Sequence, residues 1–384
     1  MYKLLLPLCL LLGTASFSQA QNTRPFAMGF TDYAYDVMSA PGVYDDSWKI
    51  ATQLGDMVMI HEEDSVPWTE AYANRPDLYH VSYLNYIHLR ADRRFKYAAD
   101  HKVLLYINVM NMFRTAIAGY RGAESGMSLP PPFDSLSTSF NDPRVVQAFV
   151  NHARFMITTF RPTYFAYAIE ANMLLANVLE GRVPPQTWEN FVVGASYIYL
   201  QLKQEFPTLP IFASFQIDEF NEDRVRQADG LKWLMPFTDY MAVSTYAYGY
   251  NYRPFNIPAD YFTAIRALAP AKKFAIAETA WPAEPVFYPD PAIPGVIPFY
   301  NFHSSEWEQY LYMNRLLEEA NANAAEFVNW FVCRDYDLRW EHQDKFLPSA
   351  ILTRMWRDDG ILNGAGQARL SGWAWFFTLV KPKG

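Results

Sequence analysis

Eight short runs of β-branched, aromatic and alanine residues recur along the chain, each followed by a longer stretch. This recurrence limits the fold more than any other feature. The runs are Phe26–Phe30, Asp56–Ile60, Lys102–Asn108, Tyr164–Glu170, Pro210–Phe215, Tyr240–Thr245, Lys273–Glu278 and Glu326–Phe331. Their spacing averages about 43 residues, the size of a βα unit with generous loops. Most are near-continuous apolar segments, such as Val103 to Ile107, as expected of parallel strands covered outside by helices.

Several intervening stretches carry helix signals. Asp142-Pro143 supplies an N-cap and a first-turn proline ahead of Val146, Phe149, Ala153, Met156 and Phe160. Pro184-Pro185 opens a second helix reaching Leu202, and Pro258 to Leu268 reads as a short one. Ser305 and Glu308 form a capping box before Leu311, Leu316 and Leu317. No linker, charge block or composition break divides the chain. The expected fold is a closed (β/α)8 barrel, the TIM-barrel architecture, as a single domain over residues 21–384. A doubly wound open sheet is the alternative.

Residues 1–20 read separately. Lys3, the run Leu4 to Leu12 and the ending Ser18-Gln19-Ala20 form a secretory signal, too short to span a bilayer, so a secreted or periplasmic location is expected. The remaining chain holds one cysteine, Cys333, and hence no intramolecular disulfide; its thiol reads as inert and half-buried. With 32 Lys+Arg against 40 Asp+Glu, the chain lacks a cationic surface for nucleic acid. A content of 51% hydrophobic and 17% aromatic residues excludes a disordered chain and suits a ring-lined cleft.

In such a barrel, reactive side chains belong at the C-terminal strand ends. The fourth run ends in Glu170 and the seventh in Glu278, each a carboxylate closing an apolar strand. Two glutamates three repeats apart would face each other across the mouth. Glycosidic cleavage needs such a pair: one acid to protonate the departing oxygen, and one carboxylate to meet the anomeric carbon.

Glu278-Thr279-Ala280-Trp281-Pro282 resembles the nucleophile segment Glu-Thr-Gly-Trp-Pro of plant-type β-1,3-glucanases. Glu170-Ala171-Asn172 is similar to the Glu-x-Asn part of the acid/base motif in β-1,4-galactanase relatives. The chain thus resembles the clan of retaining β-glycosidases with catalytic glutamates on strands four and seven. That resemblance implies Glu170 as acid/base, Glu278 as nucleophile and a carbohydrate substrate. It also implies Tyr246 as a hydrogen-bond partner of the nucleophile and Trp330 as the floor of the sugar subsite. The clan's asparagine before the acid/base is here Ile169, and Asn172 is a substitute donor to the sugar. This departure keeps open an alternative, a carbohydrate-binding barrel without catalysis.

Other strand ends add candidate substrate contacts: Asn108 after strand three, His61 after strand two and Asp32 after strand one. Trp68, Trp281, Tyr248, Tyr250 and Trp340 offer aromatic faces for sugar C–H surfaces, and Glu62-Glu63-Asp64 reads as a solvated loop. The turn Asp359 to Asn363 resembles the lead into the last helix of glycosidase barrels and reads as structural. The seven histidines are scattered singly, and no dinucleotide loop, Walker loop or Gly-x-Ser-x-Gly elbow occurs. Neither metal nor cofactor is expected. The net charge of −8 suits a neutral extracellular glycan better than a polyanion.

Overall fold

A computed structural model of the protein describes residues 23–37, 39–62, 65–289, 300–344 and 350–384. The expected signal segment, with Glu63 and Asp64, lies outside the described residues. Eight parallel strands close into one barrel: β1 (Ala27–Thr31), β2 (Met57–Glu62), β3 (Lys102–Ile107), β4 (Tyr164–Ala168), β5 (Ile211–Gln216), β6 (Tyr240–Thr245), β7 (Lys273–Thr279) and β8 (Phe327–Trp330). Each pairs with its sequence neighbours, and β8 returns to β1. The expected closed barrel is therefore the observed one, and the open sheet is excluded. Asn108 and Glu170 fall just beyond their strands.

The caps read from the sequence act as expected. Asp142 accepts from the Arg144 amide at the start of helix Pro143–Phe160, and Ser305 accepts from the Glu308 amide at the start of helix Glu306–Ala322. The stretch from Pro258 yields a shorter helix, Tyr261–Arg266. Helix Leu370–Leu379 ends the chain's regular structure after the turn at Asp359–Asn363.

Two apolar layers result. Outward-facing strand residues such as Val58, Leu105, Phe165 and Ile276 pack with the helices, while Met57, Met59, Leu104, Ala166, Phe212, Ala242, Ala275 and Phe327 fill the barrel. The in–out alternation breaks where it matters for chemistry. In β7, Val243 of β6 faces Ile276 but Ser244 faces Glu278, leaving Ala277 as an extra residue. In β4, Phe212 of β5 faces Ala166 but Ala213 faces Ala168, leaving Tyr167 extra. Such bulges shift the phase of every later side chain. Ala277 points inward, and after the bulge Glu278 is directed to the mouth while Thr279 bonds Tyr312 on the outer helix layer.

Candidate active site

Glu170 and Glu278 line one cleft of ≈ 630 Å³ at the C-terminal rim, with Tyr33, His61, Tyr246 and Phe331 among its walls. Both glutamates are buried.

Glu170 is held from several elements. Its backbone has φ 53°, the left-handed region, which turns the chain sharply after β4. Its amide donates to Ser214 Oγ on β5 at 2.9 Å, and Ser244 Oγ on β6 donates to its Oε1 at 2.8 Å. Arg114, from the loop after β3, donates to its Oε2 at 3.1 Å and to the Ile169 carbonyl at 3.0 Å. Below them Tyr106 on β3 donates to Ser214 Oγ.

Glu278 accepts from the Tyr246 hydroxyl. Burial and the Glu278 charge raise the Tyr246 phenol well above its ordinary range, so it remains a proton donor. The Tyr246 amide donates at 3.0 Å to Asp218 Oδ2, and Tyr261 donates to the other oxygen. Burial pushes the Asp218 carboxyl up to about 7 despite those two hydrogen bonds. His61 Nδ1 lies 3.9 Å from Glu278 Oε2, its ring stacked between Tyr33 and Tyr106 at 5.4 Å each. Burial first, then the Arg114 charge, with Arg90 adding and Asp32 opposing, drives the imidazole down to about 3. A neutral ring therefore faces Glu278, and the contact is not an ion pair at neutral pH.

The remaining candidates divide. Tyr246, His61, Tyr248 and Tyr250 line the cleft; Asn172, Trp281, Trp330, Asn108, Asp32, Trp68 and Trp340 do not. Asn172 has 0% exposure, and both ends of its amide bond the Gln216 backbone, at 2.7 and 2.9 Å. It fixes Gln216, which does line the cleft, instead of meeting a sugar. Asn108 accepts from the Ile169 amide at 3.1 Å and so braces the residue before Glu170. Asp32 forms a buried two-point ion pair with Arg90, at 2.7 and 2.8 Å. Trp281 and Trp330 point outward into the helix layer, donating to Ser304 and the Asp359 carbonyl. The bulge in β7 and the inward position of Asn329 on β8 put these indoles out of phase with the mouth. Trp68 donates to Ala118 and packs on Phe133. These side chains lie outside the cleft lining. The aromatic floor is Phe331 and Trp356, 4.7 Å apart, with Tyr33 and Tyr246 beside them.

Sequence reasoning missed Arg114, Ser214, Ser244, Gln216, Phe331 and Trp356. Phe331 and Gln216 were legible as strand ends; Arg114 and Trp356 sit in long connections with no local signature. Among the described residues no group of three or more His, Cys, Asp or Glu can hold a metal ion, and no helix is long and apolar enough to cross a membrane. Burial pushes the Cys333 thiol up to about 12, which leaves it unreactive.

No protein-family model matches the chain, and no curated protein matches it in sequence. Solved structures do match in fold. An exo-β-1,4-mannosidase from Opitutaceae bacterium strain TAV5 superposes with TM-score 0.60 at 12% identity, over 94% of this chain and 60% of its own. A GH5_18 protein from Streptomyces cattleya, in complex with Manb1-4GlcNAc, gives 0.57 at 13%, over 93% and 80%. A β-galactosidase from Marinomonas ef1 gives 0.53 at 11%, over 92% and 58%. The fold is thus a (β/α)8 barrel, shared with these proteins. The chain spans about three-fifths of the length of that mannosidase and of that galactosidase.

Proposed function

We propose that the chain is an exported retaining glycoside hydrolase that cleaves a β-linked poly- or oligosaccharide by double displacement. The observation that carries this reading is the arrival of Glu170 and Glu278, from β4 and β7, in one aromatic cleft at the C-terminal rim.

In the first step a Glu278 oxygen attacks the anomeric carbon as the bond to the leaving oxygen breaks, and protonated Glu170 gives that oxygen its proton. In the second step Glu170, now a carboxylate, takes a proton from water. The water oxygen bonds the anomeric carbon and Glu278 is released. Tyr246 orients the Glu278 carboxylate and stabilises its charge before attack. Arg114 and Ser244 suit Glu170 to its role as base; its role as acid requires the substrate to displace or offset the guanidinium.

A panel of β-linked glycans incubated with wild type and Glu278→Ala tests the reading. Cleavage by wild type alone supports it, and equal cleavage by both sinks the assignment. The Arg114–Glu170 ion pair together with Ile169 favours a second reading, a binding barrel without turnover. Calorimetric binding of an oligosaccharide with no product after long incubation would select that one.

A further inference from the structure

The charge of the cleft differs from that of the chain. Overall the protein carries −8, yet three arginines line the cleft: Arg114, Arg121 and Arg339. Arg114 is engaged with Glu170. The other two belong to the half of the rim formed by β8, β1, β2 and β3. Arg121 follows the short strand Gly119–Tyr120 in the loop after β3, and Arg339 sits in helix Asp337–His342 after β8.

Among the described residues neither makes an ion pair or a side-chain hydrogen bond, and the Arg121 Nε is buried without a partner. Both are half-buried and laid over rings. The Arg121 guanidinium carbon is 4.5 Å from the Tyr83 ring centre and 5.9 Å from that of Tyr86; that of Arg339 is 5.4 Å from Tyr336. Stacking fixes the plane of a guanidinium while leaving its N–H edge to bind. Among the described residues, Asp32 and Glu62, at the ends of β1 and β2, both pair with Arg90 behind the wall. Those two acids are thereby engaged away from Arg121 and Arg339, and neutral His61 adds no charge.

We propose that this half of the cleft is a subsite for an anionic sugar, a residue carrying a carboxylate or a sulfate ester, recognised by Arg121 and Arg339. A planar guanidinium matches either group through two parallel N–H···O bonds. The inference names a substrate class for the glycoside-hydrolase site proposed above, but it concerns binding and holds without turnover.

The test is calorimetric binding to Glu278→Gln, which keeps a hydrogen-bonding group beside Tyr246 while removing the nucleophile. The probes are β-1,4-linked glucuronic acid and mannuronic acid oligosaccharides, the same chains after carboxyl reduction, and sulfated cello-oligosaccharides. The expected result is tighter binding of an acidic form over its reduced form, about tenfold for each guanidinium engaged. That gap should shrink at 0.5 M salt and close in Arg121→Met/Arg339→Met. The charge-keeping pair Arg121→Lys/Arg339→Lys should retain part of it, which separates lost charge from lost packing. Preference for the sulfated probe alone would assign the subsite to sulfate, and preference for the uronates alone to carboxylate. Equal binding of acidic and reduced forms, or binding of no probe, overturns the proposal. Selective binding with no hydrolysis by wild type would uphold the subsite and defeat the hydrolase reading, so the two fail separately.

Discussion

The two mouths of the barrel use charge in opposite ways. At the N-terminal mouth, Glu326 receives Lys273 at 2.8 Å, the Tyr164 hydroxyl at 2.7 Å and Lys102 at 3.2 Å. Burial alone would raise this carboxyl, but the Lys273 and Tyr164 hydrogen bonds and the Lys102 charge hold it down to about 2. Rings of Tyr164, Phe212, Tyr240 and Phe327 close the space above it, Phe212 and Tyr240 stacking at 5.5 Å. At the C-terminal mouth the carboxylates surround an open cleft, and their partners include a phenol, a hydroxyl and a guanidinium from three different connections or strands. One end pairs its acid to lock the strands; the other leaves its acids facing a cleft. Stability and chemistry should therefore separate by mutation.

The largest effect is expected at the open end. Glu278→Ala should lower kcat on a cleaved glycan by 10⁴-fold or more, with a melting temperature no lower than that of wild type, since a buried carboxylate is removed from a cleft. Tyr246→Phe should reduce kcat by about 10²-fold with little change in KM, because the hydroxyl bonds only the Glu278 carboxylate. A large loss of stability in either variant would merge the two mouths into one structural network. Arg114→Met should lower kcat/KM by about tenfold, because the guanidinium fixes both the Glu170 carboxylate and the Ile169 carbonyl. An unchanged kcat/KM would remove Arg114 from control of Glu170.

The closed end should show the reverse pattern. Glu326→Gln is expected to cost about 1–2 kcal/mol at neutral pH, discounted for its partial exposure, and to leave kcat/KM unchanged. Because the folded carboxyl titrates at about 2, below its unfolded value of 4.5, its stabilisation is present above pH 4.5 and disappears as pH falls towards 2. The variant should lack that acid-side loss in chemical denaturation. Asp218 gives a signal of the opposite sign. Its folded value of about 7 lies above the usual 3.8, so wild type should lose stability relative to Asp218→Asn as pH rises from 4 through 7.

The same contrast explains what could be read in advance. Strand positions were legible because apolar runs and loop signals repeat with the βα period, and Glu170 and Glu278 stood out as charges closing such runs. Tyr246 followed from the resemblance to the retaining-glycosidase clan at the end of β6. The direction of side chains past the bulges was not legible. A one-residue slip in β7 sends Glu278 to the mouth and Trp281 into the helix layer, and no composition or period marks it. Arg114 was equally hidden, since its contact spans 56 residues and arises only when the β3 loop folds over the barrel. The guanidiniums of the cleft are a local arrangement that the net charge of the chain does not report.

The central claim is that Glu170 and Glu278 act on one anomeric carbon as acid/base and nucleophile. Proton NMR of the first product released from a cleaved β-glycan tests it most directly. Double displacement predicts that the initial sugar appears as the β anomer and only later equilibrates, whereas an initial α anomer would contradict the account.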